Sequence, residues 1–492
     1  MKPRLEIFIL ACVMLGLAFM AGYRLLVDGV SVSSILGAAV MLTPHLMVAM
    51  LAASPFWVGL GLGGIGLTFS IPLQLLYRIE FGMVISGLLV VMVFLRFAFV
   101  SRKYSILVSI EDRLMAVVAV VILVRILYDH PGSARMGESG GLAEAFYIGL
   151  GVLCYFMMAR LTGMGGWAVR STFRLMLAML TLVALAQGVI AGREYGWAVA
   201  VRSAFGLQLW FLCAMVLSWA LGRANRSDPT RGPQILPYLV ILGTMILSVV
   251  SPFRSRPVFA VGIVMAVAYV HGRLRRLGTV VLAGLGLVVL LWFIAGSDSV
   301  PFVVSRSLST IMPVSETRAA EFSNEFKSSA EFGWGSDFRA ALNQMAWARI
   351  RERPLAGAGF TFTREELIMQ SYASGAQETL LAQLALSGIY HNVVLELAVF
   401  CGLPLAALFV IAYLISLVKF IRFAPGISDP DFRMIAAALL GFFVAESGQM
   451  LMNGGGRDFY HICMLLGAMR GLRVWVAARE AEVELAASRE TP

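Results

Sequence analysis

Apolar stretches long enough to cross a bilayer follow one another along nearly the whole chain, broken at intervals by short turns or small groups of cations. A membrane helix needs roughly 20 apolar residues to span about 30 Å of hydrocarbon. The pattern therefore predicts an all-α polytopic membrane protein. The charged content of 14% agrees, since a soluble chain carries about a quarter. About fourteen spans are expected, near 7–26, 34–52, 55–75, 82–101, 113–128, 142–160, 171–191, 203–222, 235–252, 257–272, 277–295, 391–420, 432–452 and 459–477. They divide the chain into a bundle of about eleven spans (1–295), a large polar loop (296–388), three final spans (389–478) and a charged tail (479–492).

The formal net charge of +10 would suit a nucleic-acid partner, but the cations are placed for topology. Lys2 and Arg4, Arg102 and Lys103, Arg170 and Arg174, Arg223, Arg226 and Arg231, Arg273, Arg275 and Arg276, Lys419 and Arg422, and Arg470, Arg473 and Arg479 fall in alternate loops. The positive-inside rule places these loops and both termini in the cytoplasm and the 296–388 loop outside. No nucleic acid is expected. The N-terminus has basic residues before an apolar run but no clean small-x-small cleavage site, and reads as a retained first span. Cys12, Cys154, Cys213, Cys401 and Cys463 all lie within expected spans, are not spaced for a metal, and read as packing residues.

There is no internal repeat, and eleven spans, one loop and three spans suit an enzyme with a single outer face better than a transporter built from paired halves. Within the loop, Ser336-Asp337 can cap a helix from Phe338 to about Arg353, with Phe338, Leu342, Met345 and Ile350 on one side and Arg339 and Asn343 on another. Pro354 stops it, and Leu355-Ala356-Gly357-Ala358-Gly359-Phe360 is a glycine-bearing turn. A second amphipathic helix is expected from Gln377 to Leu386.

Three constellations can carry chemistry. His391-Asn392 opens a span that holds Glu396 and Gly402-Leu403-Pro404; His391 fits either an interfacial anchor or a base that titrates near neutrality. Arg254 and Arg256 lie on the outer side, where the positive-inside rule does not call for them, and fit either snorkelling to headgroups or bidentate phosphate recognition. Arg339, Trp347, Pro354, Gly357 and Gly359 form the third set, in which Gly357-Ala358-Gly359 lacks the context of a nucleotide fingerprint. Glu446, Gln449 and Asn453, near Arg457, Asp458 and His461, fit an interhelical polar network or the lining of the same cavity. His45, His130 and His271 receive no role.

In order and spacing, these motifs resemble the superfamily of O-antigen ligases and O-antigen (Wzy-type) polymerases. The likeness rests on Ser255-Arg256 after a mid-chain span, then Arg339, Trp347, Pro354, Gly357 and Gly359, then His391-Asn392, Glu396 and Gly402-Leu403, over residues 240 to 470. Pro257 departs from the small residue usual after the Ser-Arg. The resemblance implies a membrane-embedded glycosyltransferase that moves a glycan from an undecaprenyl-diphosphate carrier to a sugar hydroxyl on the periplasmic face. Its acceptor would be a repeat unit or the lipid A core, and other polysaccharide-assembly proteins are possible partners. No cofactor or metal is expected: Asp298 and Asp337 form no Asp-x-Asp cluster. Arg254, Arg256 and Arg339 would instead stabilise the leaving diphosphate. His391 would deprotonate or orient the acceptor hydroxyl. Asn392 would hold a sugar hydroxyl or fix the histidine tautomer, and Glu396, off the histidine's face, would support an arginine. A lipid-linked oligosaccharide flippase is the competing reading from a different class.

Overall fold

The computed structural model describes residues 72–73, 79–80, 109–129, 140–163, 207–226, 235–250, 256–275, 277–279, 281–282, 286, 315, 317, 336–360, 390, 392–452 and 456–490. Helix dominates them. A two-residue antiparallel pairing of β1 (Pro72–Leu73) with β2 (Ile79–Glu80) is a small departure from the all-α expectation. The helices are α1 (Ile110–Asp129), α2 (Gly140–Gly163), α3 (Leu207–Arg226), α4 (Leu236–Val250), α5 (Arg256–Val270), α6 (Ser336–Glu352), α7 (Val393–Cys401), α8 (Leu403–Phe423), α9 (Pro430–Met452) and α10 (Gly456–Glu490). A short 3₁₀ turn, Ala424–Gly426, follows α8. Three stretches among the described residues are long and apolar enough to cross a membrane: Leu403–Gly426, Pro430–Leu451 and Asp458–Val483. The spans expected at 7–26, 34–52, 82–101 and 171–191, that at 55–75 apart from the β1 residues 72–73, most of 277–295, and the second loop helix lie outside the described residues.

The chain divides into two compact units, one of residues 1–106, 156–212 and 467–492, the other of residues 107–155 and 213–466. The first unit's described residues are the β1–β2 pair and the ends of α2, α3 and α10; the charged tail continues α10 as helix to Glu490. All the remaining geometry below belongs to the second unit.

Its best-packed pair is α5 on α9. The helices run antiparallel: Gly262 faces Val444, Gly441 faces Val267, and Gly448 faces the Phe259 ring. A Cβ at Gly262 or Gly441 would lie 2.8 Å from a valine methyl, so the small residues set the separation of the two backbones. Between membrane helices, where lipid is as apolar as leucine, such close van der Waals contact replaces the hydrophobic drive.

Helices α1 and α8 also run antiparallel, tied at one end by Lys419 to the buried Glu111. At that end Ser109 and Asp112 form a reciprocal cap, with Asp112 accepting the Ser109 N–H at 3.2 Å and also the Tyr155 hydroxyl at 2.8 Å. Val117, Val120, Val124 and Leu127 of α1 and Ile411, Leu414 and Val418 of α8 are exposed apolar stripes suited to hydrocarbon.

The expected span 391–420 is not one helix. It breaks at Gly402 (φ 90°) into the nine-residue α7 and the longer α8. The left-handed φ is strained for any residue with a Cβ, and Pro404 in the first turn of α8 lacks an N–H that would have had no helical partner. A Cβ at position 402 would also collide with the Leu355 carbonyl. Replacement Gly402→Ala should lower the thermal midpoint in detergent by the equivalent of about 2 kcal/mol or more. Gly243→Ala in α4, where an added methyl meets nothing within 4 Å, should leave the midpoint unchanged or raised.

Candidate functional site

The break in the helix creates a chemical problem. The Gly402 N–H still bonds the Ala398 carbonyl, but the next carbonyls of α7, on Val399 and Phe400, lose their helical donors. The glycine-bearing turn supplies them. The Ala358 N–H donates to Val399 O at 2.6 Å and the Gly359 N–H to Phe400 O at 3.1 Å, while Leu403 N–H donates back to Pro354 O at 2.8 Å. The approach requires bare backbone: a Cβ on Gly357 (φ 72°) would sit 2.5 Å from the Phe400 carbonyl. Phe360 stacks on Phe400 with centroids 4.7 Å apart, closing the apolar side of the joint.

A second contact comes from the end of α1. Asp129 accepts the Phe360 N–H at 2.8 Å and pairs with Arg125 at 3.1 Å, and Arg125 donates to Gly357 O at 3.4 Å. With Gly357 N–H bonded to Arg353 O at 2.9 Å, four consecutive amides of the turn, 357 to 360, all have acceptors. The sequence reading assigned no role to Arg125 or Asp129. An i,i+4 ion pair at the end of a span, just before Pro131-Gly132, was the available signal.

Helix α6 packs on α7 through this joint. Its buried stripe is Leu342, Ala346 and Ile350, at i, i+4 and i+8. Met345, expected on that stripe, is 38% exposed and Trp347 is 46% exposed, because the four-residue spacing rotates the contact face away from both. The helix begins at Ser336, two residues before the expected Phe338, so the expected cap residues lie inside it; the stop before Pro354 and the glycine turn are as expected. Arg339 lies one residue short of a turn before Leu342 on α6, and its side chain lies outside the described residues.

At the entrance to α7 two polar side chains hold backbone. Asn392 is the N-cap, and its Oδ1 accepts from Val394 N–H at 3.0 Å and Leu395 N–H at 3.2 Å. Glu396 is fully buried, and its Oε1 accepts the Tyr390 N–H at 2.9 Å. Sugar contact or tautomer control was expected of Asn392 and arginine support of Glu396. The described contacts of both are to backbone, because an asparagine before an apolar helix caps it and a first-turn carboxylate reaches the amides that precede it. His391 itself lies outside the described residues, as does Arg254. The described residues on each side of position 391, Tyr390 and Asn392, are both tied down.

Arg256 opens α5 and is 9% exposed. The antiparallel register puts it at the Gly448–Met452 end of α9. At that end Glu446, Asp458 and His461 are all buried, with one potential ligand atom from each lying within 4.8 Å of the others. This brings together three of the residues read as a polar network or cavity lining. Helix α9 touches both α5 and α7, and so connects the Arg256 segment to the Asn392 segment. No protein-family model matches the sequence, and no curated protein matches it.

The cap and the clamp predict a graded series. Asn392→Asp, which keeps the accepting oxygen, should hold stability near wild type, whereas Asn392→Ala should cost about 1 kcal/mol. Glu396→Gln keeps an acceptor for Tyr390 N–H and should cost less than Glu396→Ala, which strands a buried amide at about 1–3 kcal/mol. Thermal melts of the four purified variants check the order.

Proposed function

We propose that the chain is a membrane-embedded glycosyltransferase with about fourteen spans, transferring a glycan from an undecaprenyl-diphosphate carrier to a sugar hydroxyl on the periplasmic face. The favoured reaction is polymerisation of O-antigen or exopolysaccharide repeat units, with ligation to the lipid A core as the alternative acceptor. One observation carries the reading: the turn Pro354-x-x-Gly357-x-Gly359 is bonded to the helix end at Gly402-Leu403. Two of the three motifs behind the resemblance, distant in sequence, thus meet in one joint, and α6 with Arg339 is packed on the helix that His391-Asn392 opens.

The orientation follows from the two ends of α1. Lys419 and Glu111 meet at one end, and Arg125 and Asp129 join the glycine turn at the other. With the Lys419 end taken as cytoplasmic by the positive-inside rule, the glycine turn lies at the outward end of α1 in this reading.

In the proposed step the acceptor oxygen attacks the anomeric carbon while the carbon–oxygen bond to the diphosphate breaks. His391 takes the hydroxyl proton, and Arg256, Arg254 and Arg339 neutralise the departing diphosphate. Burial strengthens such a contact, because an arginine–phosphate pair is attenuated less in low dielectric than in water. Asn392 and Glu396 act by fixing the backbone on either side of the histidine.

Purified protein given an undecaprenyl-diphosphate-linked glycan and acceptor should form product, and His391→Ala and Arg256→Ala should each reduce the rate by roughly a hundredfold or more. Arg256→Lys should recover only part, since an ammonium lacks the planar fork. Wild-type rates in both alanine variants would sink the assigned roles. Carrier movement across the membrane without a new glycosidic bond would favour the flippase.

A further inference from the structure

We propose that Glu446, Asp458 and His461 form a site for one divalent first-row metal ion, which ties the last turns of α9 to the first turn of α10. Among the described residues this is the one group of three potential metal-ligating side chains whose donor atoms lie this close together. The proposal does not depend on the glycosyl-transfer reading.

Three features converge. The first is spacing on the helices: Asp458 and His461 are one turn apart at the start of α10, and Glu446 comes from the last two turns of α9. A carboxylate and a histidine at i,i+3 on one helix, completed by a carboxylate from a neighbour, is how helical bundles assemble metal sites in their cores. The second is distance. His461 Nδ1 lies 3.6 Å from Glu446 Oε2, longer than a hydrogen bond. It is close to the roughly 3.4 Å edge between two ligands held at about 2.1 Å from a tetrahedral ion. All three donor atoms lie within 4.8 Å of one another.

The third is charge. Glu446 and His461 are almost completely buried and Asp458 nearly so. Two carboxylates drawn together in low dielectric repel one another and are expensive to desolvate. A divalent cation with two carboxylates and a neutral imidazole makes a group of zero net charge. The dipole of α10 also favours Asp458 in its first turn. The imidazole suits Zn²⁺ and the two carboxylates also admit Mn²⁺, whereas Mg²⁺ and Ca²⁺ prefer all-oxygen sites.

The test uses the full-length chain in detergent, stripped with chelator and titrated with Zn²⁺ and, separately, Mn²⁺. Binding of about one equivalent of either ion per chain, together with a raised unfolding midpoint, is expected. Asp458→Asn and His461→Gln should each weaken binding roughly tenfold or more while the protein stays monodisperse. Glu446→Gln serves as a third variant should either of these fail to fold. Failure of the stripped wild type to bind either ion, or binding unchanged in folded variants, overturns the proposal.

Discussion

A helix interrupted inside a membrane protein leaves carbonyls that water cannot reach, and each such group costs several kcal/mol unless another part of the chain supplies a donor. The end of α7 at Gly402 is that interruption. The amides of Ala358 and Gly359 are the donors. Most of the geometry around the candidate site follows from this exchange of hydrogen bonds. Gly402 can turn only because it lacks a side chain, the turn can approach only because Gly357 and Gly359 lack them too, and α6 is carried onto α7 as a result.

The same economy of polar groups recurs at the other end of α7 and along α1. Asn392 and Glu396 satisfy three backbone amides around position 391, and Arg125 and Asp129 bind the glycine turn. Polar side chains in this unit are therefore used first to hold backbone where no helix can. That favours a rigid scaffold around position 391, which a group positioned for chemistry needs. Arg256, by contrast, opens a helix whose position is set by the glycine-lined α5–α9 contact.

The membrane class was legible from hydropathy, because a run of apolar residues has the same meaning wherever it packs. The helix after Ser336 and its stop at Pro354 were legible for the same local reason. The break at Gly402 was not, although Gly402-Leu403-Pro404 carried the signal, since uninterrupted hydropathy ran through it. The capping role of Asn392 could have been read from an asparagine placed just before Val393-Val394-Leu395. What a single sequence does not encode locally is the partner. Nothing near residue 357 specifies the carbonyls of residues 399 and 400, and nothing near Asp129 specifies the amide of Phe360. The convergence of Glu446 with Asp458 and His461 also depends on how two helices meet.

Hydrogen–deuterium exchange on a peptide covering Pro354–Phe360, with the protein in nanodiscs, tests the central claim most directly. The amides of residues 357 to 360 all donate to acceptors, and two of them close the end of α7. The account predicts that this stretch, with no helix or strand of its own, exchanges as slowly as the buried turns of α9, and that Gly402→Ala speeds it. Exchange at the rate of an unprotected surface loop in the wild-type protein would contradict the joint between the turn and the broken helix.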